Sequence, residues 1–337
     1  MTVSIDDVAK LAGVSIATVS RSLRGLPDVA PSTRDRVLAA ARELDYVASP
    51  FAARLASGRT ATVGVVVPFV NRWYFAEVLG AIEAVLNRAG MDLLLYNLGD
   101  PAGRERFFGD LPVRKRVDAL LIASLVLSER ESDALRSLGC PIGTLAVDHI
   151  GFHSTRIDDA AGAAAATDHL LRLGHRRIGL IGGDTADPMR FTPPHHRRRG
   201  YVNRLREAGI EHDPSSEVLG YFTVDGGEAA TAELLSRPDR PSAVFAESDE
   251  MAYGAIRAIR RHGLRVPEDI AVVGFDDHPS AELLDLSTVR QPVVEQAEEL
   301  TGRLLAAIGS AGVAGESHVL PTELVVRGST DPARSVY

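Results

Sequence analysis

The sequence predicts a two-part α/β protein, in which a short all-helical head precedes a core of two lobes built on parallel sheets. Apolar residues in the first fifty positions recur at helical spacing around a tight turn. From residue 62 onward, short apolar runs alternate with helical patterns, and the alternation forms two successive sets. Strands that alternate with helices favour parallel sheets covered on both faces, and two sets favour two lobes with a cleft between them.

Composition limits the class of protein further. With 337 residues, 45% hydrophobic and 24% charged, the chain can bury a sizeable core. The single cysteine, Cys140, cannot form an intrachain disulfide, and the N-terminus lacks the basic and apolar pattern of an export signal. No apolar run reaches the length that a membrane span needs. We therefore expect a cytoplasmic protein with no membrane segment.

The charge is unevenly distributed along the chain. Residues 1–60 hold eight basic and six acidic side chains, so the head carries +2 and the remainder −10 of the net −8. A modestly basic head on an acidic body is typical of a protein that offers one end to phosphates. Random variation accounts for this difference in charge equally well, so the case for a DNA-binding head depends on the sequence motifs.

The first helix of the head is predicted by one apolar face and a capping box. The residues at i, i+3, i+4 and i+7 are all apolar, namely Ile5, Val8, Ala9 and Ala12. Ser4 followed by Asp7 three residues later is typical of a helix N-terminus.

A tight turn and a second helix follow. Gly13 supplies the positive φ of a sharp turn, Val14 fills the angle, and Ser15 can cap a helix over residues 16–23. The outward positions of this second helix are occupied by Ile16, Ala17, Ser20 and Arg21. An ordinary helical hairpin with a solvated face and a DNA-reading helix both fit this pattern.

A third helix is predicted over residues 31–44, with Pro31 in its first turn. Ala30 stands where a capping hydroxyl is usual, so Ser32, water or the preceding loop must satisfy the first amide groups. Three helices in under fifty residues make a minimal DNA-reading module.

The head resembles the lactose-repressor (LacI/GalR) family. The matching residues are D-V-A-K-L-A-G-V-S at 7–15, T-V-S-R at 18–21, T-R-x-R-V at 33–37 and E-L-x-Y at 43–46. The resemblance implies that the second helix enters the major groove of double-stranded DNA and that Ile16 and Ala17 set the operator preference. The DNA-binding residues that we predict in the head are Ser4, Ser15, Ile16, Ala17, Thr18, Ser20, Arg21 and Thr33.

Neither Ile16 nor Ala17 can form the bidentate hydrogen bonds that read guanine or adenine, so they would pack against a thymine methyl group or fill space. Hydrogen bonds to the bases would then come mainly from Ser15, Thr18, Ser20 and Arg21.

Residues 49–58 predict a short hinge helix, with Ser49 as cap, Pro50 at the first position and Gly58 past the end. It is too short to be stable alone, so it either frays or folds on contact with another molecule. The resemblance implies that such helices pair across a dimer and enter the minor groove. Leu55 matches the leucine that levers base pairs apart, and Ser49 and Ala52 complete the predicted hinge contacts.

The core begins with apolar runs that predict buried strands at 63–67, 92–96, 119–123 and 142–147. A second set of strands is predicted at 178–182, 242–246 and 271–275, separated by helices near 160–173, 195–208, 227–235 and 251–262. Ligands in open α/β sheets bind beyond the carboxyl ends of strands. The candidates that follow strands are residues 68–75, Asp148, 247–249 and 276–277. Each acidic residue among them also fits a helix cap or a turn.

The core resembles the periplasmic-binding-protein-like sensor of the same family. The matching residues are L-G-H-R-R-I at 173–178, R-x-x-G-Y at 197–201, V-P-E-D-I-A-V-V-G-F-D-D at 266–277 and T-V-R-Q-P at 288–292. By position the resemblance implies that the effector contacts Asp148, Arg197, Phe222, Ser248 and Asp276. Carboxylates and a guanidinium can hydrogen-bond to vicinal hydroxyl groups, and an aromatic ring can stack on the apolar face of a sugar.

Two features of this predicted pocket are particular to the chain. Ser248 occupies a position commonly held by asparagine, which puts the usual sugar pose in doubt. Trp73, Tyr74 and Phe75 follow the first core strand and either stack on a sugar or pack at a dimer interface, and Phe75 is our sixth effector candidate.

These observations predict a DNA-binding transcriptional regulator, a repressor, whose operator affinity is controlled by a small molecule, a carbohydrate. The predicted domains are a head at 1–48, a hinge at 49–59 and a core at 60–337. The lobes of the core are about 60–159 plus 291–321 and about 160–290 plus 322–337. The tail has no leucine heptads, so we expect a homodimer, rather than a tetramer, on a palindromic operator.

Other classes of function are weighed against this one. A nucleoside-like ligand or a partner protein could control the same regulator, and the core alone would fit a cytosolic solute-binding protein. Neither a dinucleotide-binding nor a nucleophile-elbow motif is present, and adjacent His195 and His196 lack the spacing of a helical metal pair. We therefore expect no enzyme activity, no cofactor and no metal.

Overall fold

The computed structural model describes residues 3–23, 25–46, 59–309, 315–331 and 333. The chain divides into two compact units, Met1–Ala61 and Thr62–Tyr337. In the described residues, no helix combines the length and apolar character needed to cross a membrane.

The head contains α1 (Ile5–Ala12), α2 (Ile16–Leu23) and α3 (Pro31–Glu43), as the spacing predicts. Their inner faces form one small core of Val8, Ala9, Ala12, Val19, Val37, Ala40 and Ala41. Both sides of the capping box on α1 are formed, whereas Ala30 leaves α3 without a side-chain cap. The three helices therefore pack as a self-contained unit whose α2 keeps one side in solvent.

The first lobe of the core is a parallel sheet in the order β11-β5-β4-β3-β1-β2. Its strands are β1 (Thr62–Val67), β2 (Asp92–Asn97), β3 (Ala119–Ala123), β4 (Ile142–Leu145), β5 (His153–Ile157) and β11 (Ser317–Leu320). Its helices are α4 (Trp73–Arg88), α5 (Pro101–Asp110), α6 (Glu129–Arg136) and α12 (Val293–Ala307). Packing of α4 and α12 against β1 and β3 buries one of its two apolar clusters.

The second lobe is a sheet in the order β12-β10-β9-β8-β6-β7, parallel except for β12. Its strands are β6 (Ile178–Gly182), β7 (Glu217–Leu219), β8 (Ala243–Ala246), β9 (Ala271–Asp276), β10 (Ser287–Arg290) and β12 (Glu323–Val325). Its helices are α7 (Asp159–Arg172), α8 (Pro193–Glu207), α9 (Val224–Leu235), α10 (Asp249–Arg261) and α11 (Ser280–Leu283).

The sequence prediction is wrong about β2. Its residues are exposed or half-buried, because β2 pairs only with β1 and forms an edge of the sheet. The prediction also carried β4 to residue 147, but Ala146 has a positive φ of 62°, which ends the strand.

The prediction missed strands β5, β7, β10, β11 and β12. Two of them, β5 and β10, are largely buried although their sequences, HSTRI and STVR, are rich in polar residues. The Thr288 hydroxyl donates to Asp249 Oδ1 at 2.6 Å, and the Ser287 and Thr330 hydroxyl oxygens are hydrogen-bonded at 2.6 Å. Burial of these hydroxyls is tolerated because each has a hydrogen-bond partner, which hydrophobic periodicity cannot reveal.

The chain passes between the lobes from β5 to α7, from β10 to α12 and from β11 to β12. These crossings place the carboxyl ends of β1 and β4 opposite those of β8 and β9, where a cleft forms. This is the arrangement in which open α/β sheets bind ligands.

Candidate functional site

The turn between α1 and α2 has the geometry that the sequence predicts. Gly13 has a φ of 64°, and the Val14 amide donates to the Ala9 carbonyl at 3.1 Å, which closes the end of α1. Ser15 Oγ accepts from the Thr18 amide at 3.2 Å and so caps α2. The angle between the two helices is therefore held by backbone and cap hydrogen bonds as well as by apolar packing.

The predicted DNA-reading residues of α2 lie on its solvent side. Ser15, Ile16, Ala17 and Arg21 are exposed, with Ile16 at 47%, whereas Thr18 and Ser20 are half-buried. Elsewhere in the head, Ser4 is exposed and Thr33 is half-buried. An isoleucine exposed to this extent on a small domain favours a contact surface, although a single exposed apolar residue is common.

Arg21 has a partner that sequence reasoning missed. Its Nε lies 3.5 Å from Asp28 Oδ2, and both side chains are 55% exposed. Exposed pairs of this kind contribute little to stability, so Arg21 can exchange Asp28 for a base or a phosphate at low cost. The predicted hinge contacts Ser49, Ala52 and Leu55 lie outside the described residues.

The cleft between the two lobes of the core contains a small cavity that opens to solvent. Five predicted effector residues line this cavity, namely Phe75, Arg197, Phe222, Ser248 and Asp276. Asp148 does not line it: the side chain is exposed, accepts from Ser154 Oγ at 2.9 Å, and faces an adjoining depression beside Arg156 and Arg199. The separation arises because β4 ends at Leu145 and the chain then turns at Ala146, which does line the cavity.

Arg197 is the centre of a buried polar network at the cleft. Its Nε donates to Asp159 Oδ1 at 2.8 Å, and its Nη1 donates to the Glu247 carbonyl and lies 3.6 Å from Asp276 Oδ1. The guanidinium also sits 3.7 Å from the centre of the Phe275 ring. A buried guanidinium needs such partners to offset its lost hydration, and the protein accordingly occupies the Nε and Nη1 donors of Arg197.

Asp276 combines a strained backbone conformation with a raised carboxyl pKa. Its φ is 126°, a region that side-chain-bearing residues rarely adopt, and Gln291 Nε2 donates to its Oδ1 at 2.6 Å. Burial raises the pKa of Asp276 to about 7, against the opposing effect of Arg197. Near neutral pH this carboxyl group can both donate and accept hydrogen bonds, as the recognition of hydroxyl groups requires.

The walls of the cavity are aromatic. Tyr74, Phe75, Phe191 and Phe222 line it, and the Phe191 and Phe222 rings meet edge to face with centroids 5.4 Å apart. Trp73 does not line the cavity; its ring packs against that of His278 in the other lobe, with centroids 5.0 Å apart. Flat apolar walls beside a polar network suit a ring-shaped ligand that carries hydroxyl groups.

Ser248 is both a helix cap and a cavity residue. Its Oγ accepts from the Met251 amide at 3.3 Å and so caps α10, and the residue also lines the cavity. The hydroxyl hydrogen remains for a ligand, but the amide donor and acceptor of an asparagine are absent.

Four polar cavity residues were not predicted individually: Arg72, Asp159, Glu250 and Gln291. Arg72 falls within the predicted run 68–75 after the first strand, which is the only signal for it. Asp159 and Gln291 lie where the chain crosses between lobes, and those crossings depend on strand pairing that the sequence does not reveal.

Comparison with known proteins agrees with both parts of the chain. Residues 4–49 match the family described as bacterial regulatory proteins, lacI family, and residues 167–330 match the periplasmic binding protein-like domain. The HTH-type transcriptional repressor CytR of Escherichia coli is 34% identical over 333 residues, which cover 97% of this chain and 96% of CytR.

Two solved structures extend the likeness to the whole fold. The structure of the transcriptional regulator CelR–cellobiose complex has a TM-score of 0.72 at 34% identity, covering 97% of this chain and 99% of the other. The lac repressor dimer bound to operator and the anti-inducer ONPF has a TM-score of 0.87 at 28% identity, covering 98% and 99%. The chain belongs to the lacI family of bacterial regulatory proteins, and it is a transcriptional regulator with a helix-turn-helix head and a periplasmic-binding-protein-like core.

Proposed function

We propose that this regulator binds a palindromic operator as a homodimer and inserts α2 of each head into the major groove. The observation that carries the proposal is the exposed face of α2, where Ser15, Ile16, Ala17 and Arg21 are available on a rigidly capped helix. The likeness to a lac repressor dimer bound to its operator supports it. Two-fold symmetry of the heads then requires an inverted repeat in the DNA.

The cleft of the core takes a small carbohydrate that controls operator affinity. Arg197, Asp276 and Gln291 supply hydrogen-bonding groups, and Phe191 and Phe222 supply an apolar wall. The likeness to a CelR–cellobiose complex supports a carbohydrate over other ring-shaped ligands. Control requires that the carbohydrate bind the DNA-competent and DNA-incompetent states with different affinities.

The remaining predictions follow from these two activities. A protein that binds chromosomal operators works in the cytoplasm, and binding of DNA and ligand requires no bond-making step, so the regulator is not an enzyme. The head, hinge and core divide at residues 48 and 59.

The experiment is selection of the purified full-length chain against a randomised duplex library, followed by operator titration with and without candidate sugars. We expect an inverted repeat to be enriched and one sugar to shift its apparent affinity severalfold. Binding that does not distinguish the enriched sequence from scrambled DNA at low salt would contradict the DNA-binding proposal. A sugar that binds tightly without changing operator affinity would contradict the control mechanism.

A further inference from the structure

Arg72 lines the cleft cavity as a half-buried cation that forms no ion pair with any of the described residues. The residue is the N-cap of α4 and lines the cavity. Its guanidinium carbon lies 4.7 Å from the centre of the Phe69 ring and 5.8 Å from that of Phe222. Among the described residues, no hydrogen bond or ion pair involves its guanidinium.

This placement is unfavourable for the protein in the absence of a ligand. A cation at the N-terminal end of a helix opposes the helix dipole, and partial burial removes hydration that no protein acceptor replaces. Burial lowers the pKa of Arg72, while the nearby carboxylates Glu250 and Asp187 act in the opposite direction without reaching ion-pair distance. The two aromatic rings recover part of the cost through cation–π contacts.

The other guanidinium of the cavity cannot serve an external anion as readily. Arg197 is bound to Asp159 at 2.8 Å and to the Glu247 carbonyl, and it stacks on Phe275. An anion at Arg197 would be repelled by the adjacent Asp159 carboxylate, which already neutralises this guanidinium, whereas no carboxylate of the described residues forms an ion pair with Arg72. Within the described part of the chain, the cavity therefore holds one guanidinium that is paired with a protein carboxylate, Arg197, and one that is not, Arg72.

We propose that the effector is a carbohydrate that carries an anionic group, a phosphate or a carboxylate, and that Arg72 forms the ion pair with this group. The proposal rests on the proposed function for the location of the ligand in the cleft. The hydroxyl groups of the sugar face Arg197, Asp276 and Gln291, its ring lies along Phe222, and its anion meets the planar fork of Arg72. Glu250 lines the same cavity and disfavours the anion, which limits affinity.

The test measures binding of matched neutral and anionic sugars to the full-length chain by titration calorimetry and thermal shift at constant ionic strength. The probes are glucose, galactose and ribose, the corresponding 6- or 5-phosphates, and glucuronate and galacturonate. Comparison of the sugar phosphates with the uronates shows whether the anionic group is a phosphate or a carboxylate. We expect at least one anionic probe to bind about 10- to 100-fold more tightly than its neutral parent, the range for a charge-assisted hydrogen-bonded pair.

Three variants and a control test whether the preference for an anionic over a neutral sugar depends on Arg72. Arg72→Gln removes the preference, Arg72→Lys retains part of it because lysine keeps the charge but not the fork, and Glu250→Gln increases it. Arg130→Gln, on the exposed face of α6, leaves it unchanged. Circular dichroism of each unliganded variant shows whether it is folded, and Glu250→Gln carries the test by itself if Arg72→Gln does not fold.

Several outcomes overturn the proposal. It is wrong if no anionic probe binds more tightly than its neutral parent, if the preference survives in Arg72→Gln, or if Glu250→Gln leaves it unaltered. These failures are separate from failure of the proposed function. A chain that binds its operator but shows no anion preference overturns only the inference, and a chain whose anionic ligand binds at Arg72 without altering operator affinity overturns only the control mechanism.

Discussion

Replacing Glu247 by glutamine should make the core more stable, and increasingly so as the pH rises. Glu247 follows β8, is 1% exposed, and accepts a hydrogen bond from the Gly183 amide at 2.9 Å. Burial raises the pKa of its carboxyl group from 4.5 to about 8, against the opposing effects of the Gly183 amide and Arg197. The folded protein therefore holds a proton at this site that the unfolded chain releases.

Proton linkage gives the direction in which the free energy of unfolding changes with pH. Above pH 4.5 the unfolded chain binds fewer protons than the folded one, so the free energy of unfolding falls as the pH rises, up to about pH 8. The slope for one such group is about 1.4 kcal/mol per pH unit, so between pH 5 and pH 7 Glu247 costs the core about 3 kcal/mol of stability. Glutamine stays neutral and its carbonyl oxygen can still accept from Gly183, so the variant avoids this loss.

The assay is urea unfolding at half-unit steps from pH 5 to pH 8, followed by the fluorescence of the single tryptophan, Trp73, which lies in the core. The gap in unfolding free energy between Glu247→Gln and the unaltered protein should widen steadily with pH. Glu268→Gln, at an exposed position, is the matched control and should follow the unaltered protein. Parallel pH profiles for Glu247→Gln and the unaltered protein would refute the reasoning.

Three further predictions test the head and the core. Arg21→Ala should weaken operator binding by about 1–3 kcal/mol and relax preference at one base pair, measured by selection from a randomised library; an unchanged sequence profile would exclude a reading role. Arg197→Ala should cost about 3–5 kcal/mol in urea unfolding because it leaves the buried Asp159 carboxylate unpaired, and a loss below 1 kcal/mol would mean that solvent reaches the site. Gly200→Ala should destabilise the core by more than about 1 kcal/mol, because a Cβ there would come within 2.2 Å of a carbonyl oxygen of α7. Gly302→Ala, where a Cβ meets nothing within 4 Å, is its control and should be neutral or slightly stabilising.

The head was predictable because its structure is set by local interactions. The Ser4–Asp7 capping box, the turn at Gly13 and the Ser15 cap each depend on residues within five positions of one another. The apolar face of α1 repeats at the helical period, so the bounds of α1 and α2 agree with the structure. The pairing of Arg21 with Asp28 was not predictable, because it depends on the path of the loop between α2 and α3.

The core was predictable only in part. Strands with continuous apolar runs, such as β3 and β6, were identified, but β5 and β10 were missed because they are largely buried although their sequences are rich in hydroxyl and charged residues. Five effector candidates meet at one cavity, whereas Asp148, predicted by the same positional argument, faces another depression.

The order of the parts follows from local sequence patterns: a capped helical head, then two sets of alternating strands and helices, each recognisable from contacts between near neighbours along the chain. Which distant side chains share the cleft depends instead on long-range packing. Arg72 and Phe222 come from different lobes and lie 150 positions apart, yet they are in contact because strand pairing and the crossings between lobes bring their loops together. The ionisation of Glu247 and Asp276 was decided at the same level, since burial and the surrounding charges, rather than residue type, set the free energy of a carboxylate.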